Sequence, residues 1–73
     1  MLDTTTYRVE EVREGLYDVY NLNEKITKVL TFNELPDAIV ERLSVLRMMR
    51  DPPTEPIDGV GQRVRDNLYW IEV

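Results

Sequence analysis

The segment from Leu35 to Met49 constrains this chain most, because it is the longest stretch that keeps a helical period. Its apolar residues recur at spacings of three and four, which places them on one stripe of an α-helix. The stripe consists of Leu35, Ile39, Leu43, Leu46 and Met49. Pro36 suits the first helical position, where its missing N–H costs nothing, and Pro52 and Pro53 prevent continuation. The sequence therefore predicts one amphipathic helix, which needs an apolar surface to cover.

Three alternating segments precede this helix and predict β-strands. They are Tyr7–Arg13, Leu16–Tyr20 and Lys25–Phe32. Glu14 and Gly15 join the first two segments, since glycine accepts the positive φ that a tight hairpin requires. The three strands are expected to form an antiparallel meander on which the helix packs.

The second of these strands has two unlike faces. One face carries Tyr17 and Val19, and the other carries Leu16, Asp18 and Tyr20. Burying a carboxylate without a partner is costly, so we expect Asp18 to point away from the core. Tyr17 and Val19 are therefore predicted to face inward.

The part of the chain after the helix is less regular. A stiff, proline-rich connection is expected over 51–56, and Gln62–Arg65 is read as a short strand or an irregular turn. Leu68–Val73 is the most β-prone segment and predicts a final strand. The fold class is therefore α+β. We expect a single domain over 1–73 with a frayed arm over 1–5, an antiparallel sheet of three or four strands, and one helix, in the order β-β-β-α-β.

The composition argues against an enzyme. The chain of 73 residues has no cysteine and no histidine, which removes thiol nucleophiles, imidazole proton transfer and the usual zinc ligands. Ser44 has no histidine to activate it, and Gly59-Val60-Gly61 lacks the further residues of a phosphate-binding loop. No carboxylate spacing matches a calcium loop. We therefore expect no catalytic residue, no cofactor and no metal.

The charge suggests a protein partner. The net charge is −5, with an excess of acids in 1–24 and 51–73 and an excess of bases in 25–50. Such a chain matches a basic protein groove better than it matches nucleic acid. The ordinary alternative is surface charge that keeps the chain soluble. No apolar run approaches the roughly 18 residues that a membrane span requires, and a cytoplasmic protein without a membrane role is expected.

Seven residues are candidate contacts for a partner: Glu10, Glu11, Arg42, Arg47, Met48, Tyr69 and Trp70. The two glutamates lie in the acidic first part of the chain, and Arg47 contributes to a basic patch. Arg42 falls within the apolar stripe of the helix, where it either anchors a partner or extends its guanidinium from a buried stem. Met48 lies off this stripe. Only one ring of the Tyr69-Trp70 pair can face inward, and the outward ring suits a protein interface.

One resemblance concerns most of the chain. The run Phe32-Asn33-Glu34-Leu35-Pro36 opens the helix, Ile57-Asp58-Gly59-Val60-Gly61 with Arg63 follows it, and Tyr69-Trp70-Ile71 comes near the end. This order is similar to small early proteins of tailed bacteriophages. In length and acidity the chain resembles, within that group, a regulator that binds host RNA polymerase, inhibits initiation and suppresses termination. No binding residue is carried over from this resemblance.

The resemblance implies a non-enzymatic protein that binds bacterial RNA polymerase in the host cytoplasm, with elongation factors as further candidate partners. It implies no sequence-specific binding of nucleic acid, although contact with a nucleic-acid backbone inside such a complex stays open. Two alternatives remain. One is an acidic nucleic-acid mimic that inhibits a host defence nuclease, and the other is a small structural module that dimerises through an exposed final strand.

Overall fold

The computed structural model describes residues 5–48 and 55–73. Within these residues the chain forms five strands, one α-helix and a short 3-10 helix at Phe32–Glu34. The elements are β1 (Thr6–Arg13), β2 (Leu16–Asn21), β3 (Ile26–Thr31), α1 (Asp37–Arg47), β4 (Gly61–Arg65) and β5 (Leu68–Glu72). The strands form one antiparallel sheet in the order β3-β2-β1-β5-β4. The α+β class, the antiparallel sheet and the single helix are thus confirmed.

The expected strand count was wrong. The Gln62–Arg65 segment belongs to a true strand, β4, because Gly61, Gln62 and Arg63 pair with β5 in antiparallel register. The described elements follow the order β-β-β-α-β-β, with five strands rather than three or four. The final strand, β5, also lies inside the sheet, where it pairs with β1 on one side and with β4 on the other. A dimer formed through an exposed final strand therefore has no unpaired strand edge to use.

The helix is shorter than the sequence predicts. The Glu34 carboxylate accepts hydrogen bonds from the N–H and the hydroxyl of Thr31, at 2.9 and 3.0 Å, which fixes a separate 3-10 turn before α1. Pro36 immediately precedes the first residue of α1. Leu35 is nevertheless buried, and Met49 lies outside the described residues.

The hydrophobic core lies between α1 and one face of the sheet. Because α1 connects β3 at one edge with β4 at the other, the chain must cross the sheet between them. The buried residues of the helix meet alternate residues of β1, β2 and β5, as the sequence predicts for Tyr17 and Val19. The cluster contains Val9, Tyr17, Val19, Leu35, Ile39, Leu43, Leu46, Tyr69 and Ile71.

Two further expectations concern the ends of the described ranges. Thr5 exchanges two backbone hydrogen bonds with Val73, at 3.0 and 2.9 Å, which extends the pairing of β1 with β5 by one residue. The rest of the expected arm, 1–4, lies outside the described residues. Of the proline-rich connection over 51–56, only Glu55 and Pro56 are described.

Candidate functional site: the open face of the sheet

The sheet face directed away from α1 carries a set of side chains that the core does not use. Because successive residues of a strand point to opposite faces, this face is defined by the neighbours of the core residues. We call it the open face; its central residues are Arg8, Glu10, Asp18, Tyr20, Leu68 and Trp70.

The strand register aligns an aromatic and cationic row across the open face. Arg8 pairs with Tyr20 on one side and with Trp70 on the other. Tyr20 pairs with Thr27, and Trp70 pairs with Gln62, so the row crosses all five strands. Neighbouring strands lie about 4.8 Å apart, which makes the row about 19 Å long. All of its central side chains are half-buried, so each keeps surface available for contact.

A second row, parallel to the first, is more acidic. Glu10 pairs with Asp18 on β2 and with Leu68 on β5. The Arg8 guanidinium donates a hydrogen bond to the Glu10 carboxylate at 3.5 Å, and the Thr27 hydroxyl donates to Asp18 at 2.6 Å. The carboxylates are thus oriented by neighbours of the same face while they remain open to solvent.

Leu68 is a buried apolar residue on the open face. It is only 7% exposed, yet it lies outside the cluster beneath the helix. Its register position beside Trp70 along β5, and opposite Glu10, places it under the open face. The open face is therefore apolar at Leu68 and charged at Glu10, which lies opposite it on β1.

This arrangement suits recognition of another protein. Tryptophan, tyrosine and arginine are the residue types most enriched at the energetic centres of protein interfaces. Each presents a large body with a polar tip, so it gains contact area and a directional hydrogen bond together. The row of Tyr20, Arg8 and Trp70 brings one of each type together.

The open face holds two of the seven candidate contacts. Trp70 and Glu10 lie on it. Tyr69 is only 1% exposed and faces the core, so Trp70 is the outward ring of the pair. The sheet separates them because adjacent residues of a strand alternate faces.

Glu11 and Arg47 meet on the opposite side of the sheet, around a buried tyrosine. The Tyr17 hydroxyl donates to the Glu11 carboxylate at 3.2 Å and accepts from the Arg47 guanidinium at 3.1 Å. Burial raises the pKa of Tyr17, an effect that the Arg47 charge opposes and the Glu11 charge reinforces. These three residues form a polar network at the margin of the core. Their hydrogen bonds to one another account for the positions of Glu11 and Arg47, so no contact with another protein is needed to explain them.

Tyr69 has a similar environment. Its hydroxyl donates to the Asp66 carbonyl at 3.3 Å, and the Arg63 guanidinium lies 5.6 Å from the centre of its ring. Burial raises the pKa of Tyr69, and the nearby Arg63 charge opposes that rise.

The two remaining candidates lie on or beside α1. Arg42 donates from Nε to the Gly59 carbonyl at 3.1 Å and from Nη1 to the Ala38 carbonyl at 3.0 Å. It therefore joins the helix to the turn that precedes β4, with backbone carbonyls as its acceptors. Met48 follows the helix and is 83% exposed.

Arg8 and Tyr20 are not among the seven candidate contacts that the sequence indicates. A usable indication existed for Tyr20, because an inward Tyr17 and Val19 require an outward Tyr20 two positions beyond Asp18. Arg8 had no such indication, since its importance comes from lying between β2 and β5, and β5 is contributed by the far end of the chain.

Among residues 5–48 and 55–73, no group of three or more histidine, cysteine, aspartate or glutamate side chains is placed to hold a metal ion. None of the helices in the described part of the chain has the length and apolar character needed to cross a membrane. Comparisons with protein-family models, with curated proteins and with solved structures find no match to this chain.

Proposed function

We propose that this chain is a non-enzymatic bacteriophage protein that binds host bacterial RNA polymerase through the open face and regulates transcription. The observation that carries the proposal is the row of Tyr20, Arg8 and Trp70, which joins three typical interface residues on a face that the core leaves unused. The choice of polymerase, of the host cytoplasm and of elongation factors as further partners rests on the resemblance described above. The bound protein inhibits initiation, suppresses termination, or does both.

Charge and contact area have separate roles in this binding. Glu10 and Asp18 lie beside the aromatic row, and the whole chain carries a net charge of −5. Attraction to a basic surface accelerates the encounter and is screened over about 8–10 Å at ordinary salt. Trp70 and Tyr20 fill apolar pockets of the partner and control how long the complex lasts.

The mixed charge of the open face favours this function over imitation of nucleic acid. A nucleic-acid mimic needs an unbroken array of negative groups at the positions of phosphates. Here Arg8 stands directly between the two strands that carry Tyr20 and Trp70, and it pairs with Glu10. The inhibitor of a defence nuclease therefore remains the alternative that a failed polymerase experiment would bring forward.

The test is a measurement of binding kinetics on immobilised, purified bacterial RNA polymerase. Raising the salt concentration should slow association much more than it speeds dissociation. Replacing Glu10 with glutamine and Asp18 with asparagine should reproduce the effect of added salt. A matched variant, Glu41→Gln with Asp58→Asn, changes the net charge equally at exposed positions outside the open face and should affect association less.

Transcription assays supply the functional result. With the chain bound, polymerase should change its use of promoters or its read-through at terminators, and the chain should not be consumed or altered. If no saturable binding appears at micromolar concentration in low salt, the polymerase proposal fails.

A further inference from the structure

The inner face of the sheet is not fully covered by the helix. The main contacts of α1 are with β4 and β5, and Tyr17 and Val19 of β2 are buried in the core. The part of the inner face that extends beyond the helix is therefore formed by the edge strand β3, which is largely exposed. A groove of about 370 Å³ lies there, beside the start of α1. Its lining includes Glu24, Ile26, Lys28, Leu30, Glu34 and Ile39.

Strand β3 forms one wall of this groove and ends the sheet. It pairs with β2 on one side, and no described strand lies on its other side. Its register with β2 runs without a bulge, whereas β1 and β4 both contain one. It contains no proline, and Ile26 and Val29 are 49% and 60% exposed. A regular edge that has neither a bulge nor a proline can pair with an added strand.

The groove and the edge fit the same ligand geometry. Ile26, Lys28 and Leu30 are alternate residues of β3, and all three line the groove. An added strand would hydrogen-bond to the backbone of β3 and direct every second side chain toward the groove. Two apolar side chains would pack near Ile26 and Leu30, with one side chain between them facing Lys28.

The charges along β3 indicate the chemistry of that central side chain. Lys28 lies in the middle of the strand, and β3 itself contains no acidic residue. Glu24 and Glu34 line the groove as well, but they precede and follow the strand. A carboxylate on the added strand would meet Lys28 directly, since opposite charges across paired strands are favourable and like charges are not. A second copy paired about a two-fold axis centred on Lys28 would instead bring two Lys28 side chains close together.

We propose that β3 and the groove bind an extended segment of a partner protein by strand addition, and that this segment alternates apolar, acidic and apolar residues on its inward side. The binding uses the face opposite to the aromatic row and does not depend on the polymerase proposal. The central carboxylate of the segment pairs with Lys28, and its apolar neighbours pack against Ile26 and Leu30.

The test uses a capped peptide of the sequence threonine-valine-threonine-glutamate-threonine-valine-threonine and a second peptide with lysine in place of glutamate. Titration into isotopically labelled protein should move the backbone NMR signals of β3 and of Ile39 and should leave those of Trp70 unchanged. The glutamate peptide should bind more tightly than the lysine peptide.

A charge exchange makes the result specific. Lys28→Glu should weaken binding of the glutamate peptide by about tenfold and strengthen binding of the lysine peptide by a similar factor. The control is Lys25→Glu, which makes the same change of charge in the turn before β3, outside the groove lining. It should change both affinities by less than about threefold.

Three results would overturn the proposal. One is the absence of a saturable change at millimolar peptide, and another is an equal effect of the Lys25 and Lys28 variants. The third is a dimer in sedimentation equilibrium with β3 amides protected from exchange, which would assign the edge to a second copy of this chain.

Discussion

Tyr69 and Trp70 are neighbours in β5, yet they serve opposite faces of the sheet. Tyr69 is buried under α1 within the core cluster, whereas Trp70 stands in the row with Arg8 and Tyr20 on the open face. The inner face is held by contact with the helix. The open face also has large aromatic residues, but no helix of residues 5–48 and 55–73 packs against them.

Residues of the inner face stabilise the fold, and we propose that residues of the open face bind a partner. Residues of the core remove apolar surface from water on folding, so the fold depends on them. The large side chains of the open face remain half-buried and keep unused contact area, which folding alone does not require. Substitutions in the inner face should therefore reduce stability, whereas substitutions in the open face should reduce the proposed binding.

The largest effect is expected for the core side of the helix. Leu43 is fully buried, and truncating it to alanine should lower the free energy of unfolding by about 2–5 kcal/mol. For a domain of this size that is much of the available stability. Urea denaturation followed by circular dichroism measures it. Met48→Ala, at the exposed position just after the same helix, is the control and should change stability by less than about 0.5 kcal/mol. Equal melting of the parent and the Leu43 variant would show that the helix does not pack as described.

The next effect concerns the close approach of β4 to β5. Gly61 has a φ of 133°, and a Cβ built on it would collide with the carbonyl oxygen of Trp70. Gly61→Ala should therefore lower the free energy of unfolding by about 2–3 kcal/mol, through backbone strain and a forced shift of β5.

Gly59→Ala is the matched comparison for that variant. Gly59 also has a positive φ, of 76°, but nothing lies within 4 Å of its added Cβ. Only the left-handed conformation is penalised there, at about 1–2 kcal/mol. If the two variants lose equal stability in urea denaturation, the contact between β4 and the backbone of β5 is not as close as described.

A smaller effect is expected for Arg42. Replacement with methionine keeps the apolar stem but leaves the carbonyls of Gly59 and Ala38 without this donor. We expect a loss of about 1–2 kcal/mol of stability. The proposed binding to RNA polymerase should be unchanged, because Arg42 lies on the helix side of the sheet, away from the open face. A folded Arg42→Met variant of unchanged stability but reduced affinity would instead assign Arg42 to the interface.

The pH dependence of stability should reveal the two buried tyrosines of the inner face. Burial raises the pKa of Tyr17 and of Tyr69 above the ordinary value near 10, so the folded state holds these protons more tightly than the unfolded state. Their contribution to stability is fully present below about pH 10 and is lost as the pH rises through the folded pKa values. Urea denaturation between pH 8 and pH 12 should show a decline that begins near pH 10 and is reduced in Tyr17→Phe. An equal decline in the variant would exclude Tyr17 as a source.

The sequence correctly predicted the features that depend on residues close together in the chain. The apolar stripe correctly identified Leu35, Ile39, Leu43 and Leu46 as buried, and the cost of burying Asp18 correctly directed Tyr17 and Val19 inward. The start of β3 was less well predicted, since the expected strand begins at Lys25, whereas Lys25 has a positive φ and lies in the turn before Ile26. Asparagine and glycine favour a positive φ, but this preference alone does not decide which residue of a turn adopts it.

The candidate site was harder to predict because it depends on pairing between distant parts of the chain. The row exists only because β5 lies against β1, which sets Trp70 beside Arg8, sixty-two positions earlier in the sequence. Which ring of β5 faces outward is decided by the same register. Alternation alone allows both choices, and the bulges of β1 and β4 interrupt it near the strand ends.

The most direct test of the account is a paired measurement on one variant, Tyr20→Thr with Trp70→Thr. Threonine retains a high preference for strands, but both rings are half-buried, so the free energy of unfolding should fall by about 1–2 kcal/mol, less than for Leu43→Ala. The lifetime of the proposed complex with RNA polymerase should shorten at least tenfold, because both proposed apolar anchors are removed while the acids of the open face remain.

The comparison variant for that measurement is Val45→Thr with Met48→Thr, which removes exposed apolar residues in and beside α1. It should leave the lifetime of the complex unchanged. A folded Tyr20 and Trp70 variant that dissociates at the parent's rate, with faster dissociation of the Val45 and Met48 variant, would contradict the account and move the contact surface to the helix.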